Sequence, residues 1–263
     1  MKKQNIRKEN LSNFVFRENL RLISILVLVI AAKKYGECVS ELTVFWCTII
    51  ILIGNVRRIT NNIPICYFFR MTGYFFPYLL PLLFRAYTLQ NCTSLVRVIL
   101  GCCFSISIFF IWLLIYRSNL RIMLSDQLAA ASTREPKWVI LFRIYNVLGA
   151  AVCEEIFFRG YILGLAVPIL LKVGISALFF PLAHVVLPWG EMFPKKDVIN
   201  QFVIGSFSVA VYFISLDIIP CILLHLLINM ITVIRYLKVY DRHYLRKNRY
   251  EAQDEPLFGD LEI

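Results

Sequence analysis

Charge is what this chain has least of. Only 17% of its 263 residues are Asp, Glu, Lys or Arg, against 59% hydrophobic residues, and the mean hydropathy is +0.69. A soluble domain of this length does not need so much apolar surface, so the composition excludes an ordinary water-soluble globule and points to an integral membrane protein. Histidine is scarcer still, at three residues, which makes the position of each informative. Cysteine is present eight times but never as a CxxC pair. Neither a zinc ribbon nor a secreted disulfide framework is indicated, and the thiols read as small buried hydrophobes. No internal repeat, low-complexity tract or flexible linker divides the chain. No nucleic-acid motif is found either. The excess of basic over acidic residues, 28 against 17, flanks the apolar runs and is assigned to membrane orientation and anionic lipid headgroups.

The apolar runs fall at about 22–32, 42–54, 64–84, 98–116, 138–160, 173–189, 197–216 and 217–235. They predict an all-α, polytopic transmembrane bundle of about eight helices, several near the ~20 residues that cross a bilayer. The first run is short, like the core of a signal peptide, but Lys33-Lys34 stand where small residues should mark cleavage, so it is taken as a retained anchor or first span. The segment 138–171 fits either one crossing or a broken pair of helices. With both termini in the cytoplasm, 20 basic residues lie inside and 6 outside, the asymmetry the positive-inside rule favours.

One stretch resists this apolar reading. CEEIFFRG, Cys153 to Gly160, puts Glu154, Glu155 and Arg159 inside a prospective span, where each charge costs ~2.5–3.5 kcal/mol at the bilayer centre. On a helix Glu155 and Arg159 share a face and can pair, whereas Glu154 is turned about 100° away and is left without that counter-charge. In a low-dielectric site an unpaired carboxylate becomes a stronger base, able to take a proton from water. A Glu-Glu-Arg cluster that only locks helices together is the bland alternative. Two of the histidines also lie in apolar spans, His184 four residues after Phe180 and His225 four before Asn229. The third, His243, lies in the basic tail and is expected to be solvated. Cys153 has no histidine near it in sequence and is set aside as a nucleophile. Arg143 and Asn146 add polar groups without an assigned role, and Asp217, just before the last span, reads as the mark of a loop.

Together the patterns EExxxR, FxxxH and HxxxN contain what amide hydrolysis requires: a base for water, a charge that holds the base, and donors for the tetrahedral oxyanion. In this order, between Trp138 and Ile234, they resemble the motifs of the CPBP family, the Abi or type II CAAX prenyl endopeptidases, including the Gly160 that trails the first motif. The resemblance implies an intramembrane protease whose catalytic helices occupy 138–235, preceded by membrane helices over 1–137 and followed by a cytoplasmic tail over 236–263. It further implies that Glu154 activates water together with His184, that His225 and Asn229 hold the oxyanion, that Glu155 and Arg159 support the site, and that Phe180 packs. Two histidines and a glutamate also match a catalytic zinc site in number. Asparagine is a poor zinc ligand and a good oxyanion donor, which favours a site without a cofactor. The implied substrate is a membrane-associated peptide or lipidated protein, either a prenylated CAAX tail or, in a bacterium, a signal or bacteriocin-like peptide, with processing or immunity as the outcome. Richness in Ile, Phe, Lys and Asn favours a bacterial cell membrane. The alternative is a non-enzymatic transporter or scaffold that uses the charged cluster as a proton relay or packing element, although a transporter should show repeated halves.

Overall fold

Proline and glycine positions set where the helices stop. In a computed structural model of the protein the described residues are 2–56, 58–60, 62–84, 94–186 and 195–246, with side chains described from 15 and up to 245 apart from 195–197. Among them there is no strand. Helix α1 (Lys2–Tyr35) turns at Gly36, whose φ of +76° suits a residue without a Cβ, into α2 (Glu37–Val56). Helix α3 (Pro64–Phe75) tightens into a 3-10 turn at Phe76–Leu79 and resumes as α4 (Leu80–Leu83). Pro77 and Pro81 account for that break, since each removes a backbone donor. Next come α5 (Leu95–Met123) and the short α6 (Asp126–Ala131), capped by the Ser125 hydroxyl accepting from Leu128 N at 3.2 Å.

Helix α7 (Lys137–Glu155) widens into a π turn at Ile156–Tyr161 and closes as α8 (Ile162–Gly164). The segment from 138 is therefore one helix with a bulge, ending at Gly164. Helices α9 (Ile169–Val186), α10 (Lys195–Ser215) and α11 (Ile219–Tyr240) follow, and α11 runs on into a second π turn, Asp241–Arg246. Between α10 and α11, Leu216 takes a left-handed φ of 54°. Asp217, a marker of a loop in the sequence, caps α11 by accepting from Ile219 N at 2.8 Å.

Among the described residues five helices are long and apolar enough to cross a membrane: Glu37–Val56, Leu95–Met123, Ile169–Val186, Val198–Ser215 and Ile219–Leu245. The other three expected crossings are helical too but interrupted, α1 by its polar first half, α3–α4 by prolines and α7 by its charges. Helices satisfy most of their backbone groups internally, which is what a bilayer requires of a spanning segment.

The broadest interfaces join α11 to α7 and α5, α9 to α10, α1 to α2 and α3 to α7. Helix α11 lies antiparallel to α7, His225 beside Glu155 and Asn229 beside Val147. Against α5 it is fixed by Ser105 Oγ, which donates to Pro220 O at 2.8 Å. Arg159, Phe157, Phe158, Tyr161, Phe180, Tyr78 and Trp46 are among the largest fully buried side chains, so the centre of the bundle surrounds the charged motif. One expectation is corrected here. His243 is half-buried and faces Ser132 O at 3.0 Å, because α11 continues past the apolar run and its final turn folds back onto α6. Residues 247–263 of the expected tail lie outside the described residues.

Candidate active site

Glu154 and Glu155 occupy the last turn of α7, directly before the π turn, and both are buried. Their surroundings differ completely. Glu155 is fully engaged: Oε1 accepts from Arg159 Nη1 at 3.1 Å and pairs with His225 Nδ1 at 2.9 Å, while Oε2 accepts from Ser208 Oγ at 2.9 Å. Glu154 Oε2 is buried, has no hydrogen-bond partner among the described residues, and lies 4.0 Å from His184 Nε2.

Arg159 is completely buried and is held from three sides. Beyond Glu155, its Nη2 donates to Gly205 O at 2.9 Å, and its guanidinium sits 4.5 Å from the centre of the Phe180 ring, a cation–π contact strengthened by the absence of water. Gly205 is glycine for lack of room. A Cβ there would lie 3.0 Å from Phe180 Cδ1 and 3.4 Å from Arg159 Nη2, so a larger residue would push on the Phe180 ring and the guanidinium. The π turn moves backbone carbonyls off their usual partners. One of them, Phe158 O, accepts instead from Ser176 Oγ of α9 at 2.8 Å.

Phe180 does more than fill space. Its ring centre lies 5.2 Å from that of His184 and 5.6 Å from that of His225, with the Arg159 cation against it. His184 Nδ1 faces Phe180 O at 3.0 Å. A carbonyl only accepts, so Nδ1 carries the proton and Nε2 is the atom turned to Glu154. By the same reasoning His225 Nδ1 donates to the Glu155 carboxylate, and its Nε2 is left for another partner. Asn229 is one turn further along α11, with Nδ2 donating to Val147 O at 3.1 Å, which uses one of its two amide hydrogens.

The fold thus gathers Glu154, Glu155, Arg159, His184 and His225 around one aromatic ring, with Asn229 on the same face of α11. Cys153 packs in the apolar core. Arg143 pairs with Glu135 at 2.6 Å, and Asn146 Oδ1 is buried without a partner among the described residues. Three contributors were not singled out in the sequence. Gly205 and Ser208 lie three apart on α10, and their only local signal is a pair of small residues in an apolar helix. Tyr78, in the 3-10 break, is fully buried, lies 5.5 and 5.8 Å from the rings of Phe157 and Phe158, and is within electrostatic range of Glu154; its hydroxyl has no partner among the described residues.

A helical membrane bundle with an unengaged buried acid, two imidazoles and a second acid pinned by arginine belongs to the class of membrane proteins that carry an internal acid–base site. Residues 136–231 match the family model described as Type II CAAX prenyl endopeptidase Rce1-like. All three motifs fall inside that segment, so the motifs and the family model point to the same stretch of the chain. No curated protein and no solved structure matches the chain.

Proposed function

We propose that the protein is an intramembrane endopeptidase that hydrolyses a peptide bond of a membrane-associated substrate with a water activated by Glu154. The observation that carries this reading is the unequal engagement of the two adjacent glutamates: Glu155 is saturated by Arg159, His225 and Ser208, while Glu154 keeps an unbonded oxygen facing His184 Nε2. A separation of 4.0 Å suits a water that touches both groups at ordinary hydrogen-bond distances of about 2.8 Å.

In the reaction Glu154 takes a proton from this water as its oxygen attacks the scissile carbonyl carbon. The resulting oxyanion accepts from the Nε2–H of a protonated His225 and from the remaining Asn229 amide hydrogen, donors of the kind that lower such barriers. Collapse breaks the C–N bond, and the proton held by Glu154 passes to the departing amine, with His184 as relay. Arg159 and Ser208 hold Glu155, and Glu155 holds His225.

A zinc ion is the cofactor to weigh against this scheme. Among the described residues no three His, Cys, Asp or Glu side chains group to hold a metal ion, whereas catalytic zinc takes three protein ligands. The residues as placed do not fit it, and no step is routed through a metal. The family name makes a prenylated tail one candidate substrate, and the composition favours a hydrophobic bacterial peptide, of signal or bacteriocin type, cleaved by a protein with both termini in the cytoplasm. The test is Glu154→Gln, which keeps shape and removes the base. Purified variant should fold as the wild type and cleave a membrane-associated peptide at least ~10²-fold more slowly. Undiminished cleavage would remove Glu154 from the role of base; a proton relay or scaffold would show no cleavage by either protein.

A further inference from the structure

We propose that a cavity between α3 and the start of α7, remote from the acid–base site, binds the phosphate headgroup of an anionic lipid. The cavity measures about 520 Å³ and is lined by Tyr67, Arg70 and Asn62 on one side and by Glu135, Trp138 and Arg143 on the other. That size lies within the range of small-ligand sites. Two guanidiniums and one carboxylate face it. Glu135 Oε1 accepts from Arg143 Nη2 at 2.6 Å, so that carboxylate is matched to Arg143. Arg70 is not matched. Among the described residues its buried Nε has no hydrogen-bond partner, and it forms no ion pair. Counting the described residues, the cavity therefore presents one positive charge more than it has carboxylates.

The position of that charge is unfavourable unless something answers it. Arg70 and Arg143 each lie six residues past the first residue of their helix, about 9 Å along the axis, so both guanidiniums start below the level of the helix ends. An unpaired arginine within the bilayer is costly, and long side chains relieve the cost by reaching toward the headgroups. Tyr67 and Trp138 pack edge to face at 5.2 Å between the two arginines and the helix ends, as aromatic residues do at the headgroup level. Arg58, Arg134 and Lys137 lie at this same end of the bundle, and basic pockets between helices on such an end recognise anionic headgroups.

The anionic end of a peptide substrate is the competing occupant, and distance disfavours it. Arg143 precedes Glu154 by eleven residues of one helix, about 17 Å. An extended peptide would need about five residues beyond a scissile bond at Glu154 to span that distance.

The experiment uses the full chain in detergent, offered phosphatidylglycerol, phosphatidylcholine or inorganic phosphate, with retained lipid counted by native mass spectrometry and stability followed by thermal melting. Wild type should retain phosphatidylglycerol over phosphatidylcholine by roughly fivefold, the factor one guanidinium contributes near an anionic surface. Arg70→Gln should abolish that preference and Arg70→Lys should restore part of it. Both variants should melt with the lipid-free wild type, since Arg70 holds nothing in place. Equal retention by wild type and Arg70→Gln overturns the proposal and leaves an arginine that merely reaches for water. Arg70-dependent stabilisation by inorganic phosphate without any lipid preference overturns the assignment to a lipid.

Discussion

Replacing Arg159 with methionine tests whether the charged cluster is a single cooperative unit. Methionine retains an apolar stem of similar length, so little cavity forms and the loss is mainly one of charge. Two hydrogen bonds disappear, to Glu155 Oε1 at 3.1 Å and to Gly205 O at 2.9 Å, together with the face contact to Phe180 at 4.5 Å. Glu155 keeps Ser208 and His225 but loses its permanent cation. Breaking a fully buried pair in this way costs about 3–5 kcal/mol, because the remaining charge is stranded without water. At 2–4 °C per kcal/mol for a domain of a few hundred residues, the melting temperature of the detergent-solubilised protein should fall by roughly 6–20 °C. The companion variant is Arg159→Met with Glu155→Leu. Removing both charges should recover at least half of the loss, since exchanging a whole buried pair for apolar residues is close to neutral. A single variant that melts within about 2 °C of wild type, or a double variant that melts lower than the single, would refute the reasoning.

Other substitutions follow from the same contacts. Ser208→Ala removes one donor from a buried carboxylate and should cost about 1.5–3 kcal/mol by thermal melting; an unchanged melt would show that Glu155 does not depend on α10. Gly205→Val places a side chain against Phe180 and Arg159 and should cost about 1–3 kcal/mol. Gly54→Ala, where an added Cβ meets nothing within 4 Å, should instead stabilise α2 by about 0.5–1 kcal/mol, and the opposite order of the two melts would contradict the packing described. Tyr78→Phe deletes a buried hydroxyl without a partner among the described residues, so stability should stay the same or rise. A lower melting temperature would mean that the hydroxyl has a structural partner.

Much of the fold is legible in the sequence because its determinants are local. Apolar runs, prolines and charged boundaries mark the helices, and the pairing of Glu155 with Arg159 follows from four-residue spacing within one segment. The π turn is not legible in this way. EExxxR fits an ordinary helix, and the widening at Ile156–Tyr161 is supported by Ser176, a residue of another helix. Gly205 and Ser208 touch the motif only after α10 folds against it, 46 and 53 residues downstream of their partners Arg159 and Glu155. For Tyr78, the prolines announce a break in α3 but not the neighbour that the break presents to Glu154. His243 sits among basic residues that resemble a solvated tail, but a helix that outlasts its apolar stripe carries it back onto the bundle.

The different fates of two adjacent, identical side chains are the most informative feature of the site. Within one turn of α7, the face that carries Glu155 meets Ser208 of α10 and His225 of α11, and also the arginine of its own π turn. Three donors, two on Oε1 and one on Oε2, hold the Glu155 carboxylate in place. Glu154, turned toward α9, faces the His184 edge at 4.0 Å and takes part in none of those bonds. On the proposed chemistry, with His225 as the imidazolium, the resting cluster holds two negative and two positive charges. When Glu154 takes the proton of water, its lost negative charge reappears on the oxyanion beside His225. The buried site stays neutral throughout, and a low-dielectric interior, where an unbalanced charge is most costly, favours that path over any in which net charge accumulates.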